Sequence, residues 1–253
     1  MGKGPVATTY RAAVLDATLE AMRAAALGST DAGGYFPAMY ARVTRRVIDD
    51  AAAGRFTDGA RMARFVVEFA DRYFDARADP PAAAKCWRGS FDVAGDASLL
   101  VVQHLLIAIN AHVNFDLPQT VVRLVDGGAG PVAIRPDFDA VNEVLADTYD
   151  EIMDDLDRVT RWTSKAAAYG GGRVFNFSLR AARQQAWRAA TRLAAETEAE
   201  RRDDVAMLDE LVAVLAFMVT RPSVPARWLV PILRRLETRE PERVIRSLLG
   251  PLA

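Results

Sequence analysis

The chain is poor in the residues that most often mark a site. Of its 253 residues one is a cysteine, Cys86, and two are histidines, His104 and His112. A single cysteine excludes an internal disulfide and argues against a cysteine-based metal centre. Lysine is scarce too, at positions 3, 85 and 165 only. The basic residues are therefore nearly all arginine, which with the high alanine content points to a GC-rich bacterial source. The net charge is −1 and no Lys/Arg block forms a basic arm, so nothing draws nucleic acid to the chain. No apolar run reaches the ~18 residues of a membrane span. Residues 1–10 carry no apolar stretch of the kind that opens a secretory signal, and cytoplasm is the expected compartment. Nicotinamide, flavin and ATP signatures are missing as well. The glycines at 170–172 lack the flanking strand and the Lys-Ser/Thr of a phosphate loop. No cofactor is expected, and the oligomeric state is not legible.

Alternating β patterns are nearly absent, and helical periodicity fills the space they leave. With 51% apolar and 26% charged residues, the composition is globular rather than disordered. The expectation is an all-α, single-domain multi-helix bundle over residues 1–253 around a central apolar helix, with 202–253 as a minor C-terminal helical subregion. Helices are predicted at about 8–27, 37–53 and 57–76, the third with Thr57 as N-cap and an aromatic face of Phe65, Phe69 and Phe74. A fourth follows Pro80-Pro81 and carries Trp87 and Phe91. A fifth follows Ser98 and ends or kinks at Pro118. Asp137, after Pro136, reads as the N-cap of a long helix to Trp162. Further helices are expected at 177–201 and 204–219, then two short ones after Pro222 and Pro225. Loops are expected at 29–34, 126–131 and 168–173.

The chemically unusual segment is Gln103 to Asp116. Laid out at ~100° per residue, Gln103, Asn110 and Asn114 share one narrow strip. His112 and Asp116 are i,i+4 neighbours on the opposite side, and His104 lies between, nearer to His112. Apolar residues fill the other directions, so the helix should be buried and its polar groups must find partners or line a cavity. Histidine is the side chain best suited to proton transfer near neutral pH, and a carboxylate one turn away can orient the ring. His112 with Asp116 therefore reads as a general acid/base pair, with His104 as a second proton handler. Gln103, Asn110 and Asn114 are candidate polar anchors for a substrate. Arg183 and Trp187 share a face of a later helix. Arg183 could pair with Asp116 or bind an anionic substrate group, and Trp187 could wall a pocket. The plainer reading is a structural network that fixes helix register.

The run Gln-His-Leu-Leu-x-x-x-Asn-Ala-His-x-Asn-x-Asp-Leu resembles the signature of an uncharacterised, mainly actinobacterial family of the domain-of-unknown-function type. Asp137-Phe138 with Asn142, and Arg183 with Ala186-Trp187, resemble that family's secondary signatures. The resemblance covers roughly residues 80 to 195 and implies no activity. It makes natural-product tailoring the prior setting.

His112-x-x-x-Asp116-Leu also resembles, weakly, a stretch of all-helical zinc-dependent phospholipases and nucleases. Those enzymes use many histidines. Here His104 and His112 are ~12 Å apart along a helix axis, too far to share an ion comfortably. A carboxylate Mg²⁺ site at Asp116 and Asp137 is the metal arrangement left open. Asp154-Asp155-x-Asp157 echoes a terpene-cyclase motif, but Arg158 and Arg161 one turn on make a solvated, ion-paired face the simpler reading. Cys86 is expected to be a buried thiol.

The leading expectation is an enzyme of bacterial secondary metabolism. It would carry out cofactor-free acid/base cyclisation, dehydration or isomerisation of a lipophilic, polyketide- or terpenoid-like substrate. The alternatives are a metal-dependent hydrolase built on His112 and Asp116, and a non-catalytic helical protein that binds a ligand or partner.

Overall fold

Most of the segments with helical periodicity are helices among the described residues. The structure, a computed structural model, describes residues 5–160, 171–221 and 224–250, and all regular structure among them is helical. In chain order the helices are α1 (Pro5–Leu27), α2 (Tyr35–Ala52), α3 (Gly59–Ala78), α4 (Lys85–Asp92), α5 (Val101–Ala111), α6 (Leu117–Asp126), α7 (Pro131–Thr160), α8 (Gly171–Leu193), α9 (Glu198–Thr220), α10 (Val224–Arg234) and α11 (Pro241–Leu249). A short 3₁₀ turn at Ala32–Gly34 leads into α2, and a π turn at His112–Asp116 joins α5 to α6.

Several boundaries differ from those predicted, each for a physical reason. Asp58, not Thr57, caps α3, its Oδ1 accepting from Ala60 and Arg61 N–H at 3.0 Å each. The long helix begins at Pro131, six residues before Asp137, so Pro136 lies inside it. The hydrogen bond that Pro136 cannot donate would go to Val132, an exposed residue whose carbonyl water can reach. Asp137 is thereby freed to cap another helix. It accepts from Thr57 N–H at 2.6 Å, from Asp58 N–H at 3.1 Å and from Arg61 Nη2 at 2.7 Å, which ties α7 to the start of α3. Burial alone would raise this carboxyl, but those donors outweigh it and hold it below the usual range.

The predicted helix at 177–201 is two helices. α8 stops at Leu193, and Thr197 opens α9 with a capping box in which Glu200 reaches back to the Thr197 N–H at 2.9 Å. The predicted loop at 168–173 lies outside the described residues up to Gly170, and Gly171 already belongs to α8; the predicted helix end at Trp162 also lies outside them.

The core gathers around α2, α3, α5 and α7. Phe36, Tyr40, Phe65, Phe69, Tyr73 and Trp87 are among its aromatic members. α9 packs on α4 and α5. One side of α9 buries Val212 and Ala216, while the opposite side leaves Met207, Leu211, Val214 and Met218 exposed. Asp209 on α9 caps α4 by accepting from Lys85 and Cys86 N–H at 2.8 and 2.9 Å. That contact fixes α4 and so places Trp87. Asp155 of the acidic stretch is no part of a solvated face. It is buried and held by Arg42 of α2 at 2.5 Å and by Arg158 at 2.8 Å.

Candidate active site

The segment Gln103–Asp116 is not one continuous α-helix. At its C-terminal end the backbone widens into a π turn, closed by the Leu117 N–H donating to the His112 carbonyl. Pro118 explains the location. It has no N–H to give to Asn114 four residues earlier, so the α-helical ladder is already broken there. Nearby side chains supply replacements: Gln119 Nε2 donates to the Phe115 carbonyl at 2.9 Å and Thr120 Oγ to the Asp116 carbonyl at 3.0 Å. The predicted effect of Pro118, an end or a kink, thus takes the form of one widened turn before the helix resumes as α6.

The widened turn holds His112 and Asp116 in contact. His112 Nδ1 lies 2.9 Å from Asp116 Oδ2, and the Trp87 indole N–H donates to the same oxygen at 2.9 Å. An ionised carboxylate only accepts, so the Nδ1 proton sits between the two groups and the lone pair of the neutral ring is on Nε2. His112 is 3% exposed. Its Nε2 is buried and has no hydrogen-bond partner among the described residues.

Aromatic rings box the imidazole. Phe69 stacks on it with centroids 3.6 Å apart and planes at 13°, Tyr40 stands at 4.6 Å, Phe36 at 5.4 Å and Trp87 at 6.0 Å. Burial in this setting pushes the His112 pKa down, against the opposing pull of Asp116. The ring is therefore neutral near pH 7. Burial, with Asp116 and Asp71 adding to it, pushes the Tyr40 phenol well above its ordinary value, so Tyr40 stays protonated.

His112 also lines a cavity of about 170 Å³ between α2, α3, α5, α7 and α8. The walls are nearly all carbon, from Phe36, Met39, Tyr40, Val43, Phe69, Leu105, Ile109, Leu145 and Ile152 among others. Met39, Val43, Ile109 and Leu145 of the lining are half-buried. Arg183 is the one cationic side chain among the described residues of the lining.

The other residues singled out from the sequence lie elsewhere. His104 Nε2 is 3.2 Å from the Asp96 carbonyl, and the ring meets Tyr35 edge-on at 5.9 Å. It borders a separate small void with Ser90 and Phe91 rather than the main cavity, and burial lowers its pKa. Gln103 accepts from Leu100 N–H at 2.9 Å and donates to the Val219 carbonyl at 2.8 Å. Asn110 donates to the Val212 carbonyl at 2.8 Å, and Asn114 donates to Asn110 at 2.9 Å. Gln103 and Asn110 thus stitch α5 to α9, and Asn114 holds the Asn110 amide in place.

Arg183 does not pair with Asp116. It donates to Asn142 Oδ1 and to the Phe138 carbonyl, each at 2.7 Å. Trp187 packs against Phe138 at 4.9 Å and under Arg135 at 5.1 Å, outside the cavity lining. Asp116 and Asp137 have separate partners, and among the described residues no three His, Cys, Asp or Glu side chains gather as metal ligands would. Cys86 is buried, and burial raises its thiol pKa so far that it stays protonated.

Sequence reasoning missed Tyr40 and the Trp87–Asp116 bond. Tyr40 belongs to a helix whose pattern shows only an apolar face, and Trp87 lies 29 positions from its partner. No local signal joins them.

Comparison with known proteins adds one finding. The model of a family described as "Family of unknown function (DUF5995)" matches residues 13–222, well beyond the stretch 80–195 on which the motif resemblance rested. No curated protein matches the chain. No solved structure matches it either.

Proposed function

We propose, from the premise that the chain belongs to the family of unknown function DUF5995, that it is an enzyme moving a proton on a lipophilic small molecule held against His112. The observation that carries this reading is the buried, unpartnered Nε2 of a histidine that lines an apolar cavity. A buried nitrogen without a partner costs about 1–3 kcal/mol, and a bound substrate would recover that cost.

The chemistry follows from the pair. Neutral His112 offers the Nε2 lone pair to an acidic C–H or O–H of the substrate. The imidazolium so formed is stabilised by Asp116, which already holds Nδ1–H at 2.9 Å. Returning the proton to another carbon of the substrate isomerises it. Returning it to a departing hydroxyl releases water, and an enolate carbon that adds to a carbonyl of the same molecule closes a ring as the C=O π bond breaks, the new alkoxide oxygen taking the proton back from His112. The carbon walls exclude water and strengthen the His112–Asp116 attraction. A cavity of about 170 Å³ compares with the ~150 Å³ engineered cavity that holds benzene, so the part of the substrate inside it is about the size of one ring.

In this reading residues 1–253 act as a single domain, with 202–253 as a minor C-terminal part and Gln103–Asp116 as the central helix. In support, α5 touches α2, α4 and α9, and the π turn touches α3, α6, α8 and α9. The setting in bacterial natural-product biosynthesis rests on the arginine- and alanine-rich composition and on the motif resemblance.

The test uses a small unconjugated enone, cyclohex-3-enone, and follows its conversion to the conjugated isomer by absorbance. The wild-type chain should accelerate it, and His112→Gln should remove ~10²–10⁴-fold of that acceleration. Equal rates for the two proteins across a set of such enones would leave a non-catalytic ligand-binding protein as the better description.

A further inference from the structure

Arg183 is 3% exposed, and among the described residues its guanidinium bonds only to neutral acceptors, Asn142 Oδ1 and the Phe138 carbonyl. It also lies 4.4 Å over the Phe138 ring. No carboxylate among the described residues comes within ion-pair distance of it. Asp139, whose charge acts on it, is engaged by Arg135 at 2.6 Å. The other buried arginine among the described residues, Arg61, is paired with Asp137 at 2.7 Å, and the half-buried Arg42 with Asp155 at 2.5 Å. A buried cation without a counter-anion is costly, and proteins ordinarily pair it. Burial lowers the Arg183 pKa to about 10, which still leaves it charged at neutral pH.

This unneutralised cation lines the same apolar cavity as His112. We infer that the ligand of the cavity is a lipophilic anion, its carboxylate or enolate oxygen bound by Arg183 and its hydrocarbon part lying on the carbon wall that His112 shares. The inference rests on reading the cavity as a substrate site and narrows its substrate class. Neutral lipids fill the carbon wall equally well but leave the guanidinium without a counter-ion. A lipophilic acid satisfies both. The anionic group also fixes the direction in which the molecule enters, so that one particular carbon faces His112.

Octanoate and 1-octanol, an acid and an alcohol with the same chain, are compared by calorimetric titration of the full chain at pH 7.5. Octanoate should bind wild type at least tenfold more tightly than octanol. Arg183→Gln should remove that preference while leaving octanol affinity within about twofold, and Arg183→Lys should keep part of it. His112→Gln should leave the preference in place, which separates the anion site from the proton-transfer group. A merely structural Arg183 would affect both ligands alike. Equal binding of acid and alcohol by wild type overturns the inference while leaving the lipophilic cavity standing, and this comparison needs no variant to fold. Failure of wild type to bind either probe overturns the inference together with the substrate-site reading.

Discussion

The Phe69 ring lies face to face with the His112 imidazole, 3.6 Å between centroids and 13° between planes. A stacked, dry contact of this kind favours the neutral ring, because the imidazolium would lose its hydration without gaining a second charge partner. The pairing with Asp116 pulls the other way, and burial wins. The site therefore holds a base rather than an acid at rest.

This sets a pH dependence of stability. An unfolded histidine titrates near ~6.5, and folded His112 titrates lower. Between those two values the unfolded chain binds the extra proton. The contribution of His112 is thus complete above the unfolded pKa and is lost as pH falls toward the folded one. His104, also lowered by burial, acts in the same direction. Chemical denaturation at steps from pH 8 to pH 5 should show falling stability, with a shallower fall in His112→Phe. In NMR spectra the His112 ring signals should not titrate near 6.5; a midpoint there would contradict the burial argument.

Asp116 Oδ2 accepts from two buried donors, His112 Nδ1–H and the Trp87 indole. Trp87→Phe removes one donor and leaves the other, and should cost about 1–2 kcal/mol. Asp116→Asn removes the charge that would stabilise a protonated His112. It should cost about 2–3 kcal/mol in urea denaturation and lower any enone isomerisation more than Trp87→Phe does. Equal losses of activity in the two variants would show that Asp116 only holds the ring in place.

Asp137 serves stability rather than the site. Its replacement by alanine strands Thr57 N–H, Asp58 N–H and the buried Arg61 guanidinium. The expected loss is about 3–5 kcal/mol, the range for breaking one side of a buried ion pair. Because the folded carboxyl is held below its ordinary value, this stabilisation is present above the unfolded pKa of ~3.9 and disappears as pH falls through the folded one. Urea midpoints of the wild type and Asp137→Ala should therefore converge in strong acid.

The helical class and the unusual segment were legible in the sequence because both depend on local periodicity. The i,i+4 spacing of His112 and Asp116 survives the π turn, so their contact was legible too. What local pattern could not show was the destination of side chains that reach across the fold. Asp137 looks like a cap because it follows a proline, yet it caps a helix 80 positions earlier. The amides of Gln103 and Asn110 look like ligand anchors until α9 supplies the carbonyls they bond, and Asn114 until it is seen to donate to Asn110. The helix break at Thr197 was readable as Thr-x-x-Glu, but the apolar period continues through it and masks the cap.

The π turn at His112–Asp116 has a bearing on ancestry. A π turn is an α turn with one surplus residue. Deleting a single codon within it would narrow the turn to α-helical pitch, with the gap at the proline remaining, and rotate everything that follows by about 100°, carrying the carboxylate away from the indole that holds it. The same arithmetic run backwards describes an origin: one inserted residue in a plain buried helix is enough to bring an imidazole, a carboxylate and an indole together. The lineages to compare are relatives with gaps of one residue in this turn, where an intact helical scaffold would lack the contact between His112 and Asp116.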